Sequence, residues 1–164
     1  MIRRALDYVF LDIDPKAHTA QYWRGGTHAF SGTTLAYAAQ AVVQILKQPE
    51  ATKNKRVYVS AFEASQQQVV AELEKQQGIR YATSHLDAEA TVAEAKAKWK
   101  REQDVNAAYR LVSAGTLVPE CNTGFVSAGK QPILEELVSM PSLTLEDVVK
   151  QWICLLYTSP SPRD

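Results

Sequence analysis

The chain has 164 residues, 46% of them hydrophobic and 22% charged, a balance that fits one packed domain and excludes a wholly disordered protein. Lys and Arg total 18, as do Asp and Glu, so no overall field would recruit nucleic acid or an anionic membrane surface. No apolar run approaches the ~20 residues of a membrane span, and Asp7, Asp12 and Asp14 interrupt any signal-peptide core. A cytoplasmic protein is expected.

In chain order, Leu6, Tyr8, Val9 and Phe10 form an apolar patch with nothing before it to pack on, as if cut from a longer protein. Residues 17–23 alternate like a short strand. Gly25 and Gly26 supply the positive φ of a tight turn, and residues 28–30 would return as the second strand of a hairpin. Thr33 or Thr34 can cap a helix. Leu35, Ala38, Ala39, Val42, Val43 and Leu46 then recur at helical spacing and predict one continuous buried stripe, ended by Pro49.

Residues 56–62, rich in β-branched and aromatic side chains, predict the main strand, with Val57, Val59 and Ala61 on one face. Ser65 is a suitable cap for a helix carrying Val69, Val70 and Leu73, and Gly78 suits its left-handed stop. Residues 79–86 read as a second, shorter strand. Asp87 caps a long helix with Val92, Ala95 and Trp99 inward. Past Gln103-Asp104 the stripe restarts as Val105, Ala108, Tyr109 and Val112, ending at Gly115, as a second helix or a bent continuation.

Residues 116–129 are loop-rich, and 132–138 make a short helix. Thr144-Leu-Glu-Asp147 resembles a capping box with Asp for Glu and opens the last helix through Val148, Val149, Trp152 and Ile153. From Cys154 onward the composition changes abruptly. That end reads as translated adapter read-through of the kind found in transcript-derived sequences, against a natural tail with a Ser-Pro phosphosite. Residues 1–153 are therefore taken as the domain and 154–164 as a non-native or disordered tail.

Several chemistries leave no trace in the sequence. Gly25, Gly26 and Gly32 lack G-x-G-x-x-G spacing and precede the main strand, so they read as turn glycines; there is no Walker A run. No tyrosine has Lys four residues on. His18, His28 and His85 are scattered and read as surface or hydrogen-bonded histidines. Asp12 and Asp14 could chelate a cation but read more simply as a turn. Cys121 and Cys154 form no CxxC pair and are expected as buried, reduced thiols. Lys96, Lys98, Lys100 and Arg101 read as a solvated helix face. No metal site is assigned.

The Trp23…Gly25-Gly26 turn, Phe30-Ser-Gly-Thr-Thr-Leu35, the Pro49-Glu50 helix end, Val57-Tyr-Val-Ser-Ala-Phe62 and Ser65-Gln66 occur in an order that resembles one family. It is the NmrA-like and isoflavone reductase-like group of atypical short-chain dehydrogenases, especially its fungal members. Ser142-Leu-Thr-Leu-Glu-Asp147 is similar to a segment near that family's C-terminus. The resemblance covers residues 6–153 and matches the family's second half only.

It implies an α/β fold: the C-terminal part of a Rossmann-type NAD(P)-binding fold, with its smaller substrate-binding subdomain and an incomplete sheet. The nucleotide loop and the catalytic Lys or Tyr lie upstream in the family, so no catalytic or cofactor-binding residue is carried over. Tyr8, Val9 and Phe10 would line the substrate side of the cleft. The parent would be an NADP-dependent reductase of a small, aromatic or phenylpropanoid-like molecule, and this fragment would bind no cofactor and be inactive. The alternative is a non-catalytic redox-sensing regulator that binds dinucleotide and a partner protein. A truncated sheet would also leave an exposed, aggregation-prone edge.

Overall fold

The computed structural model describes residues 11–158. Tyr8, Val9 and Phe10 therefore lie outside the described residues. The architecture is α/β: helices packed around two small sheets. In chain order the strands are Ile13–Asp14 (β1), Thr19–Trp23 (β2), Phe30–Gly32 (β3), Phe62–Ala64 (β4) and Ala82–Leu86 (β5). β2 is central to the first sheet, antiparallel to β1 and parallel to β5, with Thr19 opposite Ala82 and Trp23 opposite Leu86. β3 and β4 form an antiparallel pair with Gly32 opposite Phe62.

The helices are Leu35–Lys47 (α1), Pro49–Thr52 (α2), Gln66–Gln77 (α3), Ala88–Glu102 (α4), Val105–Leu117 (α5), Leu134–Leu137 (α6) and Leu145–Thr158 (α7). Their starts follow local chemistry. Thr34 accepts from the Tyr37 N–H at 3.2 Å. Ser65 and Gln68 form a reciprocal capping box, Asp87 Oδ1 accepts from the Ala90 N–H at 2.9 Å, and Thr144 and Asp147 cap α7 reciprocally. Gly78 ends α3 at φ 68°, a left-handed geometry that costs glycine little. Between α4 and α5 the chain breaks at Gln103, φ 51°, and Asp104 recaps it, so these are two helices.

The main core gathers Ile13, Trp23, Phe30, Val69, Val70, Leu73, Leu117 and Val149 between the three-stranded sheet and α3, α5 and α7. A smaller cluster of Ala41, Leu134 and Val138 takes in Val57 and Val59.

Several expectations are corrected. Residues 28–30 do not return along β2, because Phe30 belongs to β3 and pairs with Ala64. Residues 56–61 are extended but join no sheet: Tyr58 bridges Ile133, donating to the Pro132 carbonyl at 3.0 Å and accepting from the Leu134 N–H at 2.8 Å. Their apolar face packs on helices instead, so β propensity registered burial where no neighbouring strand exists.

The predicted stripe on α1 faces outward. Leu35, Val42, Val43 and Leu46 are 59%, 56%, 47% and 75% exposed, while Tyr37 and Ala41 on the opposite side are buried. α5 repeats the inversion: Val105 and Val112 are exposed, the helix runs through Gly115, and Ala107, Ser113, Ala114 and Leu117 go inward. Periodicity finds a face but not the side on which the core lies. Trp99 is likewise exposed, and so are both cysteines. α7 continues to Thr158, past the Ile153 boundary drawn from composition. No described helix is long and apolar enough to cross a membrane.

Candidate functional site

The two segments that carry the family resemblance meet in one polar network. Ser31, on β3, donates its hydroxyl to Glu63 Oε1 at 3.0 Å across the β3–β4 pair. Its oxygen accepts from the Ser60 hydroxyl at 2.8 Å and from the Phe125 N–H at 2.8 Å. Glu63 also takes the Val126 N–H at 2.6 Å and the Ser127 N–H at 3.2 Å. Five backbone and side-chain groups thus tie β3, β4 and the turn at 124–129 together.

The network continues to a second carboxylate. Glu135 Oε1, on α6, accepts from the Ser60 N–H at 3.2 Å and from the Tyr37 hydroxyl at 3.0 Å. Glu135 Oε2 is buried with no hydrogen-bond partner among the described residues. Burial first, then the hydrogen bond and charge of Glu135, push the Tyr37 hydroxyl up to about 12. It stays a neutral donor at physiological pH.

The chemistry of this arrangement is retention. Ser31 has a carboxylate neighbour, the minimum for an activated hydroxyl. That carboxylate, however, is an acceptor for two backbone N–H groups and cannot take the Ser31 proton without weakening them. Ser31 Oγ is itself saturated by two donors. Hydroxyls and carboxylates here join α1, β3, β4, α6 and the 124–129 turn.

A second polar cluster sits under β2. Asp12, buried and left-handed at φ 54°, accepts from the Trp23 indole N–H and from the Arg110 guanidinium. Burial raises its carboxyl above the usual range, against the lowering effects of Trp23 and Arg110. Beside it Gln66, 1% exposed, accepts from the Trp23 N–H at 2.9 Å and donates to the carbonyls of Leu11 at 2.7 Å and Gln21 at 3.0 Å.

The structure separates the other candidates. Asp14 caps its own turn, Oδ1 accepting from the Lys16 and Ala17 N–H groups at 2.9 Å each, so Asp12 and Asp14 serve different partners. His18 stacks edge-on to Tyr81, His28 contacts the Thr123 hydroxyl at 3.2 Å, and His85 tilts against Tyr22. In the basic cluster Lys98 pairs with Asp104 at 2.9 Å, and that bond raises the lysine and lowers the carboxyl. No group of three or more metal-ligating side chains occurs among the described residues.

Sequence reasoning misses Gln66 and Glu63, and it reads Glu135 as a helix-surface charge, whereas its carboxylate is turned inward onto Tyr37 and Ser60. A glutamine or glutamate at a helix start or beside a strand has no pattern that marks it as buried. The one available signal for Gln66 was its place directly after a cap, where the side chain turns toward the preceding strand. In comparisons with known proteins, no family model, no curated protein and no solved structure matches the chain.

Proposed function

We propose that this chain is the substrate-side, C-terminal part of an NmrA-like NAD(P)-binding protein whose parent is an NADP-dependent reductase of a small molecule. The chain by itself is inactive. The dinucleotide would be held by residues other than these 164. One observation supports the reading: Phe30-Ser-Gly and Val-Ser-Ala-Phe62, which carry the resemblance, lie side by side, the Ser31 hydroxyl donating to Glu63 and the Ser60 hydroxyl to Ser31. Groups used that way mark a scaffold and leave the chemistry to another part of the protein.

The test has two arms. Titration of the purified chain with NADPH, followed by nicotinamide fluorescence, should show no saturation below millimolar concentration; micromolar affinity would contradict the proposal. The coding sequence 5′ to Met1 should continue in frame into a strand, a G-x-x-G-x-x-G turn and a helix. An in-frame stop immediately upstream would end the family reading.

A further inference from the structure

β5 forms an open edge of the three-stranded sheet: β2 lies on one side of it, and no described strand lies on the other. Its pairing with β2 decides which backbone groups that edge presents. Thr19 is opposite Ala82, and the Ala82 N–H donates to the His18 carbonyl at 2.9 Å. Ala82, Ser84 and Leu86 therefore turn their N–H and C=O groups toward β2, and Thr83 and His85, alternating with them, turn theirs outward. Residues 82–85 are all exposed.

We propose that β5 is a self-association edge, to which a second copy of this chain adds its own β5 antiparallel about a two-fold axis, joining the two sheets into one. The backbone selects the kind of occupant. Outward N–H and C=O groups in a row are completed by an extended strand, whereas a helix keeps its backbone groups for itself. They also fix the register. In an antiparallel ladder, residues that exchange both hydrogen bonds stand opposite each other, so Thr83 meets the partner's His85 and His85 meets the partner's Thr83. Ser84 then faces the partner's Ser84 on the axis, as an isologous contact requires. Charge selects a copy of the same strand. Arg80, before β5, has a side chain 93% exposed, with one nitrogen bonded to Glu74 at 2.9 Å. Asp87, after β5, is exposed, and its Oδ1 caps α4 while no hydrogen bond reaches Oδ2 from the described residues. Residues 81–86 between them contain no Asp, Glu, Lys or Arg. A strand with a basic start and an acidic end complements itself only when the two copies run in opposite directions, which brings each Arg80 to the end where the partner's Asp87 stands. The parallel arrangement would set Arg80 beside the partner's Arg80. A foreign strand would have to supply both the ladder and this order of charge; a second copy carries both.

This edge does not depend on the chain's enzymatic ancestry. Sedimentation equilibrium of the full 164-residue chain should give twice the 18.2 kDa chain mass at tens of micromolar. Thr83→Pro removes an outward N–H that the β2 ladder does not use, and Ser84→Lys sets two like charges face to face on the axis. Each should keep the far-ultraviolet circular dichroism and weaken the dimer at least 100-fold. In a Cys121→Ser, Cys154→Ser background, Ser84→Cys should form a disulfide between copies, because residues opposite each other without hydrogen bonds lie about 4.5 Å apart at Cα. Thr83→Cys should not. A monomer at 100 micromolar would overturn the proposal and leave the edge to a strand from another part of the parent protein. So would a dimer that both Thr83→Pro and Ser84→Lys leave intact, assemblies that grow past the dimer with concentration, or cross-linking by Thr83→Cys but not by Ser84→Cys, which would signify another register.

Discussion

Gln66 and Trp23 lie 43 residues apart in sequence and meet through one hydrogen bond, from the Trp23 backbone N–H to Gln66 Oε1 at 2.9 Å. The same amide donates to the carbonyls of Leu11 and Gln21. One side chain at the first turn of α3 therefore satisfies three backbone groups of the β1–β2 region. The helix start is fixed in turn by Ser65 and Gln68, so cap and bridge act as one joint between α3 and the sheet.

Gln66→Leu keeps the volume but takes the partner from the Trp23 N–H and from the carbonyls of Leu11 and Gln21. Each buried unsatisfied group costs ~1–3 kcal/mol, and relaxation will recover part of that. The expected loss is about 3 kcal/mol in urea denaturation, with little change in far-ultraviolet circular dichroism. A loss below about 1 kcal/mol would mean that water reaches these groups.

Arg110, on α5, supplies the counter-charge to Asp12, the residue just before β1. Burial already holds the Asp12 carboxyl above its ordinary value, so the ionised form is the costly one. Arg110→Met should raise that carboxyl further. A raised folded pKa means that stability is retained below the unfolded value of 3.8 and declines as pH rises through the folded value. The destabilisation should thus be small near pH 3.5 and reach about 1–3 kcal/mol at pH 7, reduced from the fully buried case because the guanidinium is partly exposed. Chemical denaturation at the two pH values checks it; an equal loss at both would assign Arg110 a packing role alone.

The features legible in sequence were those set by neighbours within one turn: the caps Thr34, Ser65, Asp87 and Thr144, and the left-handed stop at Gly78. The α/β class and the apolar interior of α3, through Val69, Val70 and Leu73, were legible for the same reason. The outward stripes of α1 and α5 were not, because a helix with apolar residues on one face and tyrosine and alanine on the other offers two faces able to pack. The site was illegible for a different reason. Glu63 and Glu135 are made structural by partners 63 and 98 residues distant, Val126 and Tyr37, and such pairings have no local signature.

Tyr37→Phe tests the far end of that network. The Tyr37 hydroxyl is pushed from 10.0 up to about 12 by burial and Glu135, so the folded state favours the neutral phenol. Its contribution is fully present below pH 10 and is lost as pH rises toward 12. The wild-type chain should lose stability across that window by this group, and Tyr37→Phe should lack that component while costing about 1 kcal/mol at pH 7 for the removed hydrogen bond. Phenolate absorbance near 295 nm during alkaline titration should show one fewer late-ionising tyrosine in the variant, Tyr22 being raised by burial in both chains. An unchanged titration curve would refute the assignment.

Gly32 and Phe62 face each other across β3 and β4, and a Cβ on Gly32 would run into the Phe62 ring. Gly32 has no positive φ, so the requirement is space, not backbone freedom. Gly32→Ala must displace the ring from the β3–β4 pair that presents Ser31 and Glu63, an overpacking cost of about 1–3 kcal/mol. Phe62→Leu shortens the intruding side chain and should itself cost ~1 kcal/mol through lost burial. Because the two defects share one cause, the double variant should be more stable than the sum of the single losses by 1 kcal/mol or more, a coupling that a thermodynamic cycle in urea measures directly. The same relief should reach the 124–129 turn: limited proteolysis there should speed up in Gly32→Ala and slow again in the double variant, since Glu63 holds the Val126 and Ser127 N–H groups only while β4 keeps its place. Strict additivity would show that β3 and β4 yield without straining either residue, and that the network is held by the Ser31–Ser60 contact instead.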